Sequence, residues 1–229
     1  MRISTFFKIG TLIVLLLPSC KNPSSKKIKE GEIQYSITYL ESKIGSIPTN
    51  LLPKKMIVKF KGNKAYTEID GFFGFFNISN ITDYSKSVNW TFLKVYGHKY
   101  LYSGKREEIA PGFGGMADIE IEYTDSTTNI CGYECKQAII HLPTSNEGLL
   151  KVFYTKELGL KHLNSSNPYG EINGVMLEFY LTLSTLKMKL VAESVVEKPI
   201  PDKFFRRQGD FRRITKEQME KLLDKLMEE

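Results

Sequence analysis

The sequence predicts a mainly β fold, an antiparallel up-and-down sheet finished by a C-terminal helix. Three observations predict it: hydrophobic residues alternate with period two along most of the chain, glycine-containing turn signals separate successive runs, and one capped amphipathic stretch closes the sequence.

The first run is the clearest. Ile33, Tyr35, Ile37 and Tyr39 alternate with Glu32, Gln34, Ser36 and Thr38, the pattern of a strand with one buried face. Comparable runs cover residues 56–60, 64–69, 90–95, 99–102, 119–123, 137–142, 149–154, 175–183 and 187–196, about ten strands in all. Gly62-Asn63 and Gly97-His98 sit between neighbouring runs as tight-turn signals. At the end, Thr215 precedes Gln218 by three residues as a capping box, with Ile214 and Met219 spaced as a hydrophobic staple. Met219, Leu222, Leu223 and Leu226 then form one apolar stripe, so the helix has a surface to cover, the open face or end of the sheet.

The N-terminus supplies an address. Arg2 and Lys8 precede an apolar run from Ile9 to Leu17, and Leu17-Pro18-Ser19-Cys20 follows. Those nine residues rise only about 13 Å as a helix, less than half of a bilayer core of about 30 Å, so they read as a removable signal. Leu17 and Ser19 fit a lipoprotein cleavage site, although Pro18 is unusual in it, and Cys20 is the predicted lipid attachment residue. Acyl chains on its thiol would hold the protein to a membrane, at about 0.8 kcal/mol per buried methylene. Residues 1–19 are thus the predicted signal peptide, residues 20–30 a polar, basic, flexible tether, and residues 31–229 a single β-rich domain.

Removing the signal leaves 210 of the 229 residues, enough for one domain with its own core. Arg2 and Lys8 leave with it, so 30 basic residues face 26 acidic ones, a small and scattered excess that points to no nucleic-acid partner. The cluster Arg206, Arg207, Arg212 and Arg213 is a solvated run with the option of contacting phospholipid head groups.

Motifs for covalent chemistry are missing. His98, His141 and His162 are isolated from one another and from the cysteines, so no metal set can be built locally. There is no G-x-S-x-G elbow and no H-E-x-x-H, and the glycine-rich segment 110–117 lacks the lysine and hydroxyl of a phosphate-binding loop. The expectation is a non-catalytic protein without cofactor or metal. Cys131 and Cys135 form an even pair in an oxidising compartment. On a straight strand their Cα atoms would stand about 13 Å apart, too far for a bridge, so a disulfide needs a turn at Gly132, and the alternative is two reduced thiols.

The most distinctive apolar feature is Gly71 to Phe76, in which Phe72, Phe73, Phe75 and Phe76 point to both faces of a strand. Either both faces are covered or some rings meet an apolar ligand or partner; Phe113 and Met116, on the glycine-rich loop, are a second candidate contact. Four Asn-x-Ser/Thr triplets begin at Asn77, Asn80, Asn89 and Asn164 and read as chance matches behind a bacterial lipoprotein signal.

The run Ile130-Cys131-Gly132-Tyr133-Glu134-Cys135-Lys136 and the later Val152-Phe153-Tyr154-Thr155-Lys156-Glu157-Leu158 resemble the core of Bacteroidetes lipoproteins grouped with the LolA/LolB-like proteins. The ending, Ile200 to Phe205 and then the capped helix, is similar to theirs, so the likeness spans roughly residues 31–228. The resemblance implies a strongly curved antiparallel sheet, an open half-barrel with helices over its concave side and few helices elsewhere, enclosing an apolar cavity that carries acyl chains. It brings no functional residue with it, and the protruding leucine loop of LolB has no counterpart. It also places Asp125-Ser126-Thr127 in the short acceptor pattern such organisms use for O-glycosylation, with Ser126 as the modified residue. The function expected is a cell-envelope lipoprotein, outer-membrane anchored and periplasm-facing, that binds a lipid or other apolar ligand. The alternative is a structural or protein-interaction lipoprotein with a filled core.

Overall fold

The computed structural model describes residues 27–41, 43–44, 47–71, 76–142 and 149–228. The predicted signal, Cys20, and Phe72, Phe73 and Phe75 therefore lie outside the described residues.

Strand β1 (Glu30–Tyr39) lies in the middle of a 12-stranded sheet. A small hairpin, β2 (Lys43–Ile44) with β3 (Ile47–Pro48), follows it. The chain then steps away from one side of β1 as an antiparallel meander: β4 (Lys55–Lys61), β5 (Lys64–Asp70), β6 (Phe76–Asp83), β7 (Val88–Val95) and β8 (His98–Ser103). Residues 104–119 carry it to the far edge, where β9 (Glu120–Ile130) begins. Strands β10 (Tyr133–His141), β11 (Leu150–Thr155) and β12 (Val175–Leu183) step back until β13 (Leu186–Glu197) pairs with the free side of β1. A short β14 (Arg212–Arg213) adds one parallel pairing to β8, and the helix α1 (Lys216–Glu228) ends the fold.

The sheet is bent but not closed. Strands β5 and β12 are four ladder steps apart, about 19 Å in a flat sheet. Yet Ala65 and Thr67 of β5 line the same cavity as Phe179 and Leu181 of β12. The tip of the β9–β10 hairpin also reaches back across the concavity, where the Cys131 thiol donates to the Ala192 carbonyl at 3.3 Å. A bulge opposite Gln34 and Tyr35, which skips Glu193, sharpens the bend at the β1–β13 pairing. The two outer edges, β9 and β8 with β14, do not pair with each other. The alternation and the capping box predict the antiparallel sheet and its C-terminal helix, the resemblance predicts the curvature and the open edges, and the structure is a mainly β, curved, open sheet of this kind.

Inward positions of both halves make the main core. Ile33, Tyr35, Met56, Val58, Leu177, Phe179, Leu181, Met188 and Leu190 belong to one buried cluster. Helix α1 joins it through Met219 and Leu223, each 0% exposed. The capping box forms as read: Gln218 N–H donates to Thr215 Oγ1 at 3.2 Å, and Thr215 N–H to Gln218 Oε1 at 3.0 Å. Ile214 and Met219, the predicted staple, enter the same cluster. Instead of further helices, irregular segments finish the cover over the concave side. One contributes Ala110 and Met116; the other contributes Leu158, Leu160, Tyr169 and Ile172.

The convex side of the β4–β8 half has a cover of its own. Tyr66, Ile81, Phe92 and Leu101 point outward and pack with Ile200, Phe205 and Phe211 of the segment between β13 and β14. Phe211 meets the Phe92 ring edge-on at 5.0 Å. Lys61 fastens the start of this strap, bridging to Asp202 at 3.1 Å and donating to the Ile200 carbonyl at 3.3 Å.

At the other end of the chain, Ile28, read as part of the polar tether, is 8% exposed and packs in the main core, and Glu30 already opens β1. None of the helices among the described residues is long and apolar enough to cross a membrane.

Candidate functional site

Two neighbouring cavities occupy the concave side. The inner one, of about 110 Å³, lies between the inward faces of β5, β6 and β7 and those of β12 and β13. The outer one, of about 300 Å³, opens where β1, β5, β7 and the β12–β13 turn end, beneath the last turn of α1. Ile69, Leu183 and Met188 line both and form a collar between them. Leu183 and Met188 are 4% and 2% exposed, so the collar is buried.

The outer cavity is lined by Tyr39, Leu52, Phe76, Val95, Leu186 and Leu226, with Leu51 and Tyr96 at its rim. Leu51 is 48% and Tyr96 64% exposed, two large apolar side chains left in solvent beside an apolar hole. Tyr39 is held in place by its hydroxyl, which donates to the Pro53 carbonyl at 2.6 Å, and by Lys54, whose ammonium sits 5.1 Å from its ring centre. Hydrophobic side chains at every other position of the flanking strands suffice to build this wall. Among the described residues, neither cavity has a charged side chain in its lining.

The inner cavity is different on one side. Thr67, Asn80, Thr82 and Thr91 face it from β5, β6 and β7, and Asn164, Ser166 and Asn167 from the covering segment. Asn80 organises this patch: its amide donates to Asn89 Oδ1, Trp90 O and Thr91 Oγ1, each at 3.2 Å, and its carbonyl accepts from Ser166 Oγ at 3.1 Å. Asn164 donates to the Ile172 and Gly174 carbonyls and so shapes the covering loop.

Helix α1 and the glycine-rich segment close the site together. Gly112 has φ +93°, which strains any other residue, and a Cβ on it would lie 2.5 Å from Leu183 Cδ1 and 2.8 Å from Leu223 Cδ1, so these leucine tips would have to shift to admit a side chain between β12 and the helix. Its carbonyl accepts the Ser184 N–H at 2.7 Å. The Ser184 hydroxyl in turn donates to Asp224 Oδ1 of α1 at 2.6 Å.

The residues singled out in the sequence separate on this frame. Phe76 lines the outer cavity and Phe113 the inner one, as an apolar contact requires. Met116 does not: it is 1% exposed and lines neither cavity. The short turn Gly114–Met116 folds its side chain onto β12, where the Thr182 N–H lies 3.0 Å from its sulfur. Of the two alternatives open for Cys131 and Cys135, the structure has two free thiols. The turn there consists of Cys131 and Gly132, both in the left-handed region, which sets Ile130 opposite Tyr133 and Cys135 opposite Thr128. Cys131 is thereby left exposed in the turn while Cys135 enters the core, and burial pushes the Cys135 thiol up to about 12.

Ser126 is exposed on β9, where residues 124–126 bulge opposite Gln137. Three Asn-x-Ser/Thr asparagines, Asn77, Asn89 and Asn164, are 6% exposed or less and hydrogen-bonded, and Asn80 is engaged as above, so all four amides are bonded within the protein. The histidines stay apart: His98 begins β8, His141 pairs with Glu122 at 3.1 Å, and His162 stacks on Tyr84 at 3.6 Å. Arg206, Arg207, Arg212 and Arg213 are all exposed. Sequence reading missed Thr82, Leu183 and Met188; the one available signal was the inward phase of Met188 in the alternation from Lys187 to Leu190.

No protein-family model and no curated protein matches the chain. Among solved structures it is similar to PNGF-II in its C2 crystal form, with a TM-score of 0.53 at 17% identity over 85% of this chain. The match spans 32% of that longer chain, and at this identity the likeness is one of fold alone.

Proposed function

We propose that this chain is a cell-envelope lipoprotein that binds a lipid or other apolar ligand in the concave face of its open sheet, without covalent chemistry. The observation that carries this reading is the pair of uncharged cavities joined at the Ile69, Leu183 and Met188 collar, with an exposed apolar rim at Leu51 and Tyr96. An apolar wall with no charge favours transfer of hydrocarbon from water at about 25 cal/mol per Å² buried. Helix α1, which lines the outer cavity, and the Gly112 segment, whose neighbours line the inner one, act as gates in this reading. The lipobox at Cys20 and the resemblance to LolA/LolB-like lipoproteins support an outer-membrane anchor with the domain facing the periplasm. Ser126, exposed on its bulge, is the proposed O-glycosylation acceptor.

Titration with Nile red, a neutral apolar dye, tests the reading. Saturable binding that is lost in Leu183→Trp, which fills the collar, supports it; an absence of saturable binding in the unaltered protein sinks it.

A second reading, a structural or protein-interaction lipoprotein, draws on β9. Its 11 residues pair on one side only and most of its side chains are exposed, which leaves an edge on which another chain could add a strand. The bulge at residues 124–126 interrupts that edge, and the cavities have no part in such a role.

A further inference from the structure

We infer that the inner cavity receives the uncharged hydrogen-bonding group of an amphipathic ligand, an alcohol, ester or amide, whose tail passes the collar into the outer cavity; this rests on the apolar-ligand reading above. Strands that face a lipid-filled space are expected to turn apolar residues inward. Here β5, β6 and β7 turn Thr67, Asn80, Thr82 and Thr91 inward beside Ala65, Ile69 and Ile78, while β12 and β13 opposite present Phe179, Leu181 and Met188.

Most of that polar patch is internally satisfied, since Asn80 bonds Asn89, Trp90, Thr91 and Ser166. The hydroxyls of Thr67 and Thr82 are the exceptions, and Thr82 is the more deeply buried. It is 6% exposed, lines the inner cavity, and its hydroxyl has no hydrogen-bond partner among the described residues. A buried hydroxyl left unpaired is costly, and a polar atom of a ligand is the partner its position calls for.

The lining also fixes the kind of polar group. Among the described residues no Lys, Arg, His, Asp or Glu borders either cavity, so a carboxylate or phosphate would be stripped of water with no countercharge, whereas a neutral group would lose only water that Thr82 replaces. Size agrees. A space of about 110 Å³ admits a group of a few heavy atoms, and the cavity of about 300 Å³ beyond the collar is left for the hydrocarbon.

The experiment is calorimetric titration at pH 8 of the full chain carrying Cys20→Ser, which removes the proposed acyl anchor and touches no described residue. Three ligands of one chain length are compared: 1-decanol, 1-chlorodecane and decanoate. The inference expects decanol to bind at least tenfold tighter than decanoate. It also expects Thr82→Val to weaken decanol three- to tenfold while leaving 1-chlorodecane unchanged, with circular dichroism confirming the fold and Thr67→Val run in parallel. Decanoate binding as tightly as decanol, or a Thr82→Val variant that does not distinguish decanol from 1-chlorodecane, overturns the inference and leaves the apolar reading standing. Failure of all three ligands to bind removes the apolar reading and this inference with it.

Discussion

The Ser184 hydroxyl donates to the Asp224 carboxylate at 2.6 Å, and this contact latches helix α1 to the turn between β12 and β13. Leu183 in the collar is one residue away from the latch, and Leu226 and Met227 in the outer wall are two and three residues beyond Asp224. Release of the helix here opens the outer cavity. Asp224→Ala removes the acceptor without disfavouring the helix, and is expected to cost about 1 kcal/mol. Amide exchange should accelerate in the last two turns of α1 and not in β1. Ser184→Gly keeps the positive φ of 55° accessible and completes a double-mutant cycle; strict additivity of the two changes would rule the latch out.

The underside of the same helix supplies stability. Leu223 is 0% exposed between Gly112 and the core, so Leu223→Ala should lower unfolding stability by about 2–5 kcal/mol in urea titration. Thr215→Ala, which removes the cap, should cost about 1 kcal/mol. A helix that only rests on the surface would give a Leu223 effect no larger than the cap effect.

The cysteines give a chemical check on the hairpin. Cys131 is exposed in its turn, whereas Cys135 is 0% exposed with its thiol raised to about 12 by burial. Iodoacetamide at pH 8 should modify Cys131 in the folded protein and Cys135 only after denaturation. Mass mapping that finds the two joined, or both alkylated at equal rates in the native state, would refute the geometry.

Glu108 ties the segment after β8 to the start of α1. The Lys105 N–H donates to it at 2.8 Å, the Tyr102 hydroxyl at 2.5 Å, and Lys216 stands 3.9 Å away. These contacts, the Lys105 amide first, hold its carboxyl below the ordinary 4.5. A carboxyl lowered in the folded state stabilises above the unfolded value, and that contribution is lost as pH falls through the folded one. Glu108→Gln should therefore reduce stability at pH 6 to 7 and flatten its decline below about pH 4.5. Parallel curves for the variant and the parent across that window would show the contacts contribute nothing.

How far the sequence carried this picture depends on which physical signal each element writes. Strands β1 and β13 were legible because Ile33, Tyr35 and Ile37, and Met188 and Leu190, all turn inward in strict alternation. Helix α1 was legible down to its cap because Thr215 and Gln218 are three residues apart and bond each other's backbone amides. Strand β6 was not, because both its faces are covered: Ile78 points inward and Ile81 outward, so the alternation slips phase between them. That slip is also why Thr82 went unnoticed. A threonine on a strand reads as solvent-facing until the strap carrying Ile200, Phe205 and Phe211 is seen to occupy the opposite side. The strap and the two cavities depend on segments distant in sequence, and no local pattern encodes such packing. The alternation was likewise silent on whether Met116 faces a ligand or the core, which the turn Gly114–Met116 decides.

The central claim is that the concave face holds an apolar ligand, and the most direct measurement is native mass spectrometry of the protein purified from the membrane of the cells that make it. The account predicts a discrete added mass, beyond any acyl groups on Cys20, that is released on unfolding and is absent from Leu183→Trp. A protein of bare mass in its native state, or an added mass that persists unchanged in Leu183→Trp, would contradict it.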